Sequence, residues 1–188
     1  MEDQAAPRKT DADELHRRAA KVKLVVFDVD GVLTDGGLFY GPSGEAMKRF
    51  DVKDGHAVVM ARLTGLPTAI LTARTSSIVE VRARELGLAA NFQGQRDKGA
   101  GMRELLATLE VAPEACAYMG DDLNDLAPMA LVGLPACPAD AAPEVRQAAL
   151  FVSSHLGGRG AARELLELVL KATGRWQAVT NLMKTGNS

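Results

Sequence analysis

Lys23-Leu24-Val25-Val26-Phe27-Asp28-Val29-Asp30-Gly31-Val32-Leu33-Thr34-Asp35 is the stretch from which the fold is read. A short apolar run, rich in β-branched residues, ends abruptly in two carboxylates and a glycine. Such a run reads as a strand buried on both faces, the kind found inside a parallel sheet. Ligands in open α/β folds bind just beyond the carboxyl ends of such strands. Asp28 and Asp30 therefore stand where chemistry is expected. In an extended chain both would point to one face and repel, the more so when buried. A hard cation with oxygen ligands relieves that repulsion, and Mg2+ suits a site open to phosphate. Gly31 supplies the backbone freedom needed to leave the strand. Asp and Gly are also ordinary turn residues, so the reading depends on partners elsewhere in the chain.

Downstream, further apolar runs end in the same manner. Leu66 to Leu71 closes in Thr72-Ala73-Arg74-Thr75-Ser76-Ser77, ahead of a helix predicted over about 78–86 that Thr75 to Ser77 can cap. Free N–H groups at such a helix start accommodate phosphate. Ala89 to Phe92 is a short strand, and the polar loop after it leads to a helix over about 98–109. Lys98 opens that helix, where a cation is disfavoured. A bound anion would account for it; a solvated surface lysine is the plainer alternative. Ala115 to Met119 is a strand ending in Gly120-Asp121-Asp122-Leu123-Asn124-Asp125. Asp122 or Asn124 could cap a helix over 126–131, but one cap does not explain three acids and a glycine at one strand end. A strand over 132–137, a short helix from Pro143, a strand over 150–152 and a helix over 161–172 complete the pattern. The Gly-rich loop from Ser153 to Gly160 could present N–H groups to an anion. Alternating strands and helices predict an α/β fold with a mainly parallel sheet flanked by helices.

One segment breaks the alternation. Gly36 to Phe50 reads as a β-hairpin inserted after the first strand, with Gly41-Pro42-Ser43-Gly44 as a four-residue turn. Leu38, Phe39, Tyr40, Met47 and Phe50 would lie exposed there, and a neighbouring subunit is one source of cover. Asp54 is the expected N-cap of the helix that follows, over 57–63. Residues 1–20 read as an extension of uncertain order in which Asp11 to Ala20 could be helical. Residues 173–188 read as a polar tail, with Trp176 expected to pack on another surface.

The chain has 188 residues, 47% of them hydrophobic and 24% charged, which suits a single domain with a full core. A net charge of −2 gives no electrostatic case for nucleic acid or an anionic membrane. No apolar run approaches a membrane span, and the acidic start is not a secretory signal. Cys116 and Cys137 are expected as buried, reduced thiols. A cytoplasmic location follows. His16, His56 and His155 lack metal-ligand spacing.

Asp28/Asp30, Thr72, Lys98 and Asp121/Asp122/Asp125 stand in an order that resembles the four motifs of the haloacid dehalogenase superfamily. The resemblance implies a Rossmann-like core. It also implies phosphoryl transfer to Asp28 as nucleophile, with Asp30 as acid and base. Thr72 would donate to a phosphoryl oxygen and Lys98 would balance charge. Mg2+ would lie between the Asp28 carboxylate, the Asp30 carbonyl and Asp121, with Asp122 and Asp125 orienting the metal's waters or Lys98. Asp-Val-Asp-Gly-Val-Leu-Thr-Asp-Gly, Lys-Arg-Phe-x-Val-Lys-Asp-Gly, Gln-Gly-x-x-Asp-Lys, Gly-Asp-Asp-x-x-Asp and Gly-Gly-Arg-Gly-Ala are similar to the 3-deoxy-D-manno-octulosonate 8-phosphate phosphatases, from the cap-less branch of that superfamily. The likeness spans about residues 21–172. It implies a homotetramer whose hairpins form a central barrel in place of a cap, and a role in lipopolysaccharide precursor synthesis. Substrate contacts carried over by position are Asp51, Val52, Lys53, Asp54, Gly55, Arg74, Arg82 and Lys98, with Arg159 reaching an adjoining active site. Arginines grip phosphate and carboxylate in a fork. Thr-Ala-Arg replaces the family's commoner Thr-Gly-Arg, and Val59 stands where an Arg is frequent. Two other readings are a phosphatase for a nine-carbon keto-acid 9-phosphate and a non-catalytic partner of a nucleotidyltransferase. The second needs a broken catalytic set, and this set is intact.

Overall fold

The computed structural model describes residues 12–185. A helix, α1 (Ala12–Ala19), precedes the first strand, β1 (Leu24–Phe27). The hairpin strands β2 (Phe39–Gly41) and β3 (Gly44–Met47) follow, then α2 (Val52–Leu63), β4 (Thr68–Leu71), α3 (Ser77–Leu86), β5 (Ala90–Phe92) and α4 (Lys98–Thr108). The second half runs β6 (Cys116–Met119), α5 (Leu126–Met129), β7 (Leu134–Cys137), α6 (Pro143–Ala148), β8 (Phe151–Val152), α7 (Ala161–Ala172) and α8 (Trp176–Thr185). Six strands pair in the order β5-β4-β1-β6-β7-β8, every pair parallel, as the strand–helix alternation predicts. The chain builds outward from β1 on one side, then crosses to the other side at β6. β1 is thus the switch point of the sheet, and its carboxyl end opens onto the crevice where ligands bind in such folds.

Alternation along β1 feeds two cores. Val25 and Phe27 face a layer built from α2, α3 and α7, while Leu24 and Val26 face Met102 and Leu105 of α4. All four β1 side chains are fully buried, and each contributes about 1.5–3 kcal/mol through removal from water. In α7, Ala161, Ala162, Leu165, Leu166, Val169 and Leu170 form the buried stripe, at the helical spacing. Cys116 and Cys137 are buried free thiols.

Three local expectations are revised. The hairpin turn holds only Pro42 and Ser43, because Gly41 pairs directly with Gly44, whose φ of +111° closes the turn. Helix α2 starts at Val52 rather than Ala57. Its N-cap is Asp51, whose Oδ1 accepts from the Lys53 N–H at 2.7 Å, and Asp54 falls inside the first turn. The presumed polar tail is helix α8. Its Val179 is buried, and Trp176 and Met183 pack against the α2–α7 core. Trp176 therefore finds its surface within the chain, under the Lys171 ammonium 4.8 Å from the ring centroid. The helix read within 11–20 is present as α1, which anchors the N-terminal side through Leu15 and buried Ala19; residues 1–11 lie outside the described region.

Candidate active site

Asp28 sits one residue past β1 and prolongs the ladder, its N–H donating to the Met119 carbonyl at 3.0 Å. The chain then turns sharply, and the N–H groups of Val32, Leu33 and Thr34 all donate to the Val29 carbonyl. Gly31 makes that turn at φ +89°, and a Cβ there would lie 2.0 Å from Asp121 Oδ2. Only glycine fits. The turn separates the two leading acids. Asp28 faces Asp121 and Asp125, with carboxylate oxygens of all three within 4.8 Å of one another. Asp30 lies outside that group and points toward the hairpin. The repelling carboxylates of the site are thus Asp28 and Asp121, not the Asp28/Asp30 pair expected of an extended chain.

Lys98 enters this acidic cluster from the first position of α4. Its residue is only 2% exposed, with Nζ 2.8 Å from Asp28 Oδ2 and 2.6 Å from Asp125 Oδ1. Two buried carboxylates thus explain a lysine at a helix start. Asp97 caps that helix instead, accepting from the Ala100 N–H. Asp125 is saturated. Its Oδ1 also accepts from the Tyr118 hydroxyl at 2.6 Å, and its Oδ2 accepts from the N–H groups of Asp121 and Asp122. Asp122 turns outward and caps the turn through the Leu123 N–H. Asp125 therefore orients Lys98, and Asp122 shapes the loop.

Electrostatics follow from this geometry. Burial pushes the Asp28 carboxyl up to about 6 against the pull of Lys98, and Asp125 adds to the rise. Burial together with Asp28 and Asp125 pushes Asp121 up to about 8. Burial alone would lower Lys98, but Asp28 and Asp125 outweigh it and hold the ammonium above its ordinary range. Asp28 Oδ1 and Asp121 Oδ1 are buried with no hydrogen-bond partner. Two orphaned carboxylate oxygens beside a saturated third acid are the donor set of a hard divalent cation.

Thr72 is buried at the end of β4. Its N–H donates to the Phe92 carbonyl and its carbonyl accepts from the Gln95 N–H, both at 2.9 Å, which fixes the side chain at the strand tip. Arg74 and Ser76 follow on the same loop. Ser76 caps α3, as expected. Arg74 Nε stands 3.5 Å from Asp30 Oδ2, and its Nη2 donates to the Tyr40 hydroxyl at 3.1 Å.

The remaining sequence candidates divide. Gly55 and Arg82 are brought together, since a Cβ on Gly55 would lie 2.1 Å from Arg82 Nη2. Arg82 also stacks 5.6 Å from the Phe50 ring centroid and pairs with Glu85. Phe50, expected to be exposed, is thereby half-buried. Val52 and Lys53 point to solvent. Asp54 does not. Its two oxygens accept from the N–H groups of Gly160 and Arg163 and cap α7. Arg159 lies at the surface, 3.8 Å from Asp35. The Gly-rich loop is not an anion cradle, because all but one of its N–H groups are committed within the protein. Ser154 donates to Glu164, His155 to Ser153, Gly157 to Asp140, Gly158 to Val32 and Gly160 to Asp54. The loop instead packs flat against the turn after β1.

Three site residues escaped the sequence reading: Tyr118, Glu45 and Lys48. Tyr118 reads as core within an apolar strand. The only signal was that a fully buried Tyr needs a partner for its hydroxyl. Glu45 carries no local signal, and Lys48 opens the Lys-Arg-Phe-x-Val-Lys-Asp-Gly stretch without any cue to its role.

A carboxylate at the carboxyl end of the central strand, a lysine salt-bridged to it and an acidic loop on the adjacent strand define a haloacid dehalogenase-like hydrolase. The family model of that description matches residues 92–165. The 3-deoxy-D-manno-octulosonate 8-phosphate phosphatase KdsC of Yersinia pestis is 43% identical over 171 residues, 91% of each chain. Its counterpart in Escherichia coli K12 is 42% identical over 158 residues, 84% of each. The crystal structure of the Moraxella catarrhalis phosphatase, in complex with magnesium, phosphate and KDO, superposes with a TM-score of 0.88 at 35% identity, over 92% of this chain and 99% of that one. The chain belongs to the 3-deoxy-D-manno-octulosonate 8-phosphate phosphatase family.

Proposed function

We propose that the protein is a Mg2+-dependent phosphatase that hydrolyses 3-deoxy-D-manno-octulosonate 8-phosphate to the free sugar acid and phosphate. The observation that carries this reading is the state of Asp28: buried, held by Lys98 through one oxygen, with the other oxygen unpaired beside an unpaired oxygen of Asp121. That is a preset nucleophile next to a cation site. Asp28, Asp121 and the backbone carbonyl of Asp30 would hold Mg2+. Mg2+ supplies neutralisation of the phosphoryl charge when bound.

The residues divide the work. Asp28 attacks phosphorus while the bond to the sugar oxygen breaks, and Asp30 gives that oxygen its proton. Asp30 then takes a proton from the water that cleaves the aspartyl phosphate, which restores Asp28. Thr72 donates its hydroxyl to a phosphoryl oxygen. Lys98, aligned by Asp125 and Tyr118, offsets charge as it spreads over the phosphoryl group. Arg74 and Arg82, with Asp51, Val52 and Lys53, contact the sugar acid, and Arg159 serves an adjoining subunit; Asp54, committed to the cap of α7, is left out of that set. The exposed Leu38, Phe39, Tyr40 and Met47 of the hairpin support a homotetramer built on that face. No helix among the described residues is long and apolar enough to cross a membrane, and buried reduced thiols accord with a cytoplasmic setting.

Phosphate release tests the reading, with Mg2+ and with EDTA, across the octulosonate 8-phosphate, a nine-carbon keto-acid 9-phosphate and hexose phosphates. Metal-dependent preference for the octulosonate is expected, with none left in Asp28→Asn. Preference for the nine-carbon acid would retain the mechanism and change the substrate. No release from any of them would overturn the reading in favour of a non-catalytic partner domain.

A further inference from the structure

Asp30 is gripped from the hairpin. The side chain of Lys48, the residue after β3, is buried, and its ammonium pairs with Asp30 Oδ1. The same ammonium lies 3.0 Å from Glu45 Oε1. The Glu45 carboxylate accepts from the Ser76 hydroxyl, and Ser76 is the N-cap of α3. Hairpin, acid/base loop and α3 are thus tied by one chain of charge-assisted bonds, Asp30–Lys48–Glu45–Ser76. Asp30 Oδ2 is buried and has no hydrogen-bond partner. Arg74 stands 3.5 Å from it, a Coulombic neighbour and not a donor.

We propose that Lys48 is a positioning residue for proton transfer. It ties down one oxygen of Asp30 and so leaves the other as the only one that can exchange a proton with the leaving group or with water. This rests on Asp30 being the acid/base. A carboxylate free to rotate would offer either oxygen in many orientations, whereas proton transfer requires one aligned within hydrogen-bond reach. Burial strengthens the clamp, because a buried ammonium between two carboxylates is not screened by solvent. Glu45 and Ser76 supply the rigidity by fixing Lys48 to a helix start rather than to the hairpin alone.

Leaving groups separate this role from a structural one. A primary sugar oxygen departs only when protonated, while nitrophenolate departs unaided, and kcat/KM reports the steps up to that departure. In Lys48→Gln, kcat/KM for the octulosonate 8-phosphate should fall at least about tenfold further than kcat/KM for 4-nitrophenyl phosphate, within the range expected for general acid catalysis. Lys48→Arg should recover part of the difference. Glu45→Gln, which keeps the lysine but loosens its support, should show the same imbalance in smaller degree and covers the case in which Lys48→Gln does not fold. Equal losses on both substrates in the Lys48 and Glu45 variants would overturn the proposal. Asp30→Asn, measured alongside, locates the failure. An imbalance in Asp30→Asn alone removes Lys48 from proton transfer, and its absence there too removes Asp30 from the acid role as well.

Discussion

Asp121 is strongly affected by its surroundings. Its carboxyl is pushed up to about 8 by burial and by Asp28 and Asp125, and Asp28 is raised to about 6. Both hold their protons more tightly in the folded chain than in the unfolded one. Their contribution to stability is therefore complete below about pH 4 and is lost as pH rises toward 8. Mg2+ binds the ionised forms and displaces those protons. The Tm difference between Mg2+ and EDTA should widen steadily from pH 5.5 to pH 8.5; a constant difference would mean that other groups ionise on metal binding. At this scale the sequence was informative where a residue type was out of place. Lys98 at a helix start and three acids at one strand tip both called for a reason, and each found it in the other. Lys48 opens one of the motifs that carry the family resemblance, yet its role was illegible, because a lysine beside an arginine on a hairpin is what solvent exposure also produces. Only the tertiary fold shows the lysine side chain buried.

Among the elements, α7 depends on a residue far from it in sequence. Asp54 caps it through Gly160 and Arg163, and α7 carries much of the core beneath the sheet. Asp54→Ala would leave two N–H groups without acceptors at a buried helix start and should cost about 1–3 kcal/mol in denaturant unfolding. Asp54→Asn keeps an acceptor oxygen and should cost distinctly less. Equal losses would place the effect in packing rather than in the cap. The boundaries of α7 were readable to the residue from its apolar stripe, yet its cap was not. Propensity assigned Asp54 to the nearest helix, and a cap contributed from another element leaves no local pattern. The same limit explains α8. Its apolar residues Trp176, Val179, Leu182 and Met183 do stand at helical spacing, but the surface that receives them belongs to α7 and leaves no mark in the segment itself.

For the molecule as a whole, the hairpin carries two faces with different tasks. Tyr40 and Met47 are 64% and 59% exposed, while the side chain of the following residue, Lys48, is buried against Asp30. If the outer face is covered by neighbouring subunits, assembly steadies the strand that holds the acid/base. Specific activity should then fall on dilution in step with the loss of the large species seen by light scattering, and Met47→Lys should lower both together. Activity unchanged in a dissociated sample would separate the two faces. The sheet and its order of layers were legible from strand composition alone, since buried parallel strands leave an unmistakable apolar run. The number of copies was not, because an exposed apolar hairpin states that cover is needed without stating its source. The strand order has a further consequence, in time rather than space. β1, β4 and β5 form one contiguous wing, and β6 must cross behind it before Asp121 and Asp125 arrive. Asp28 gains its cation-holding partner only when that crossing closes, so a chain still emerging from synthesis, or one with its second wing frayed, carries the nucleophile without the means to use it. Reactivity here is a late reward of folding.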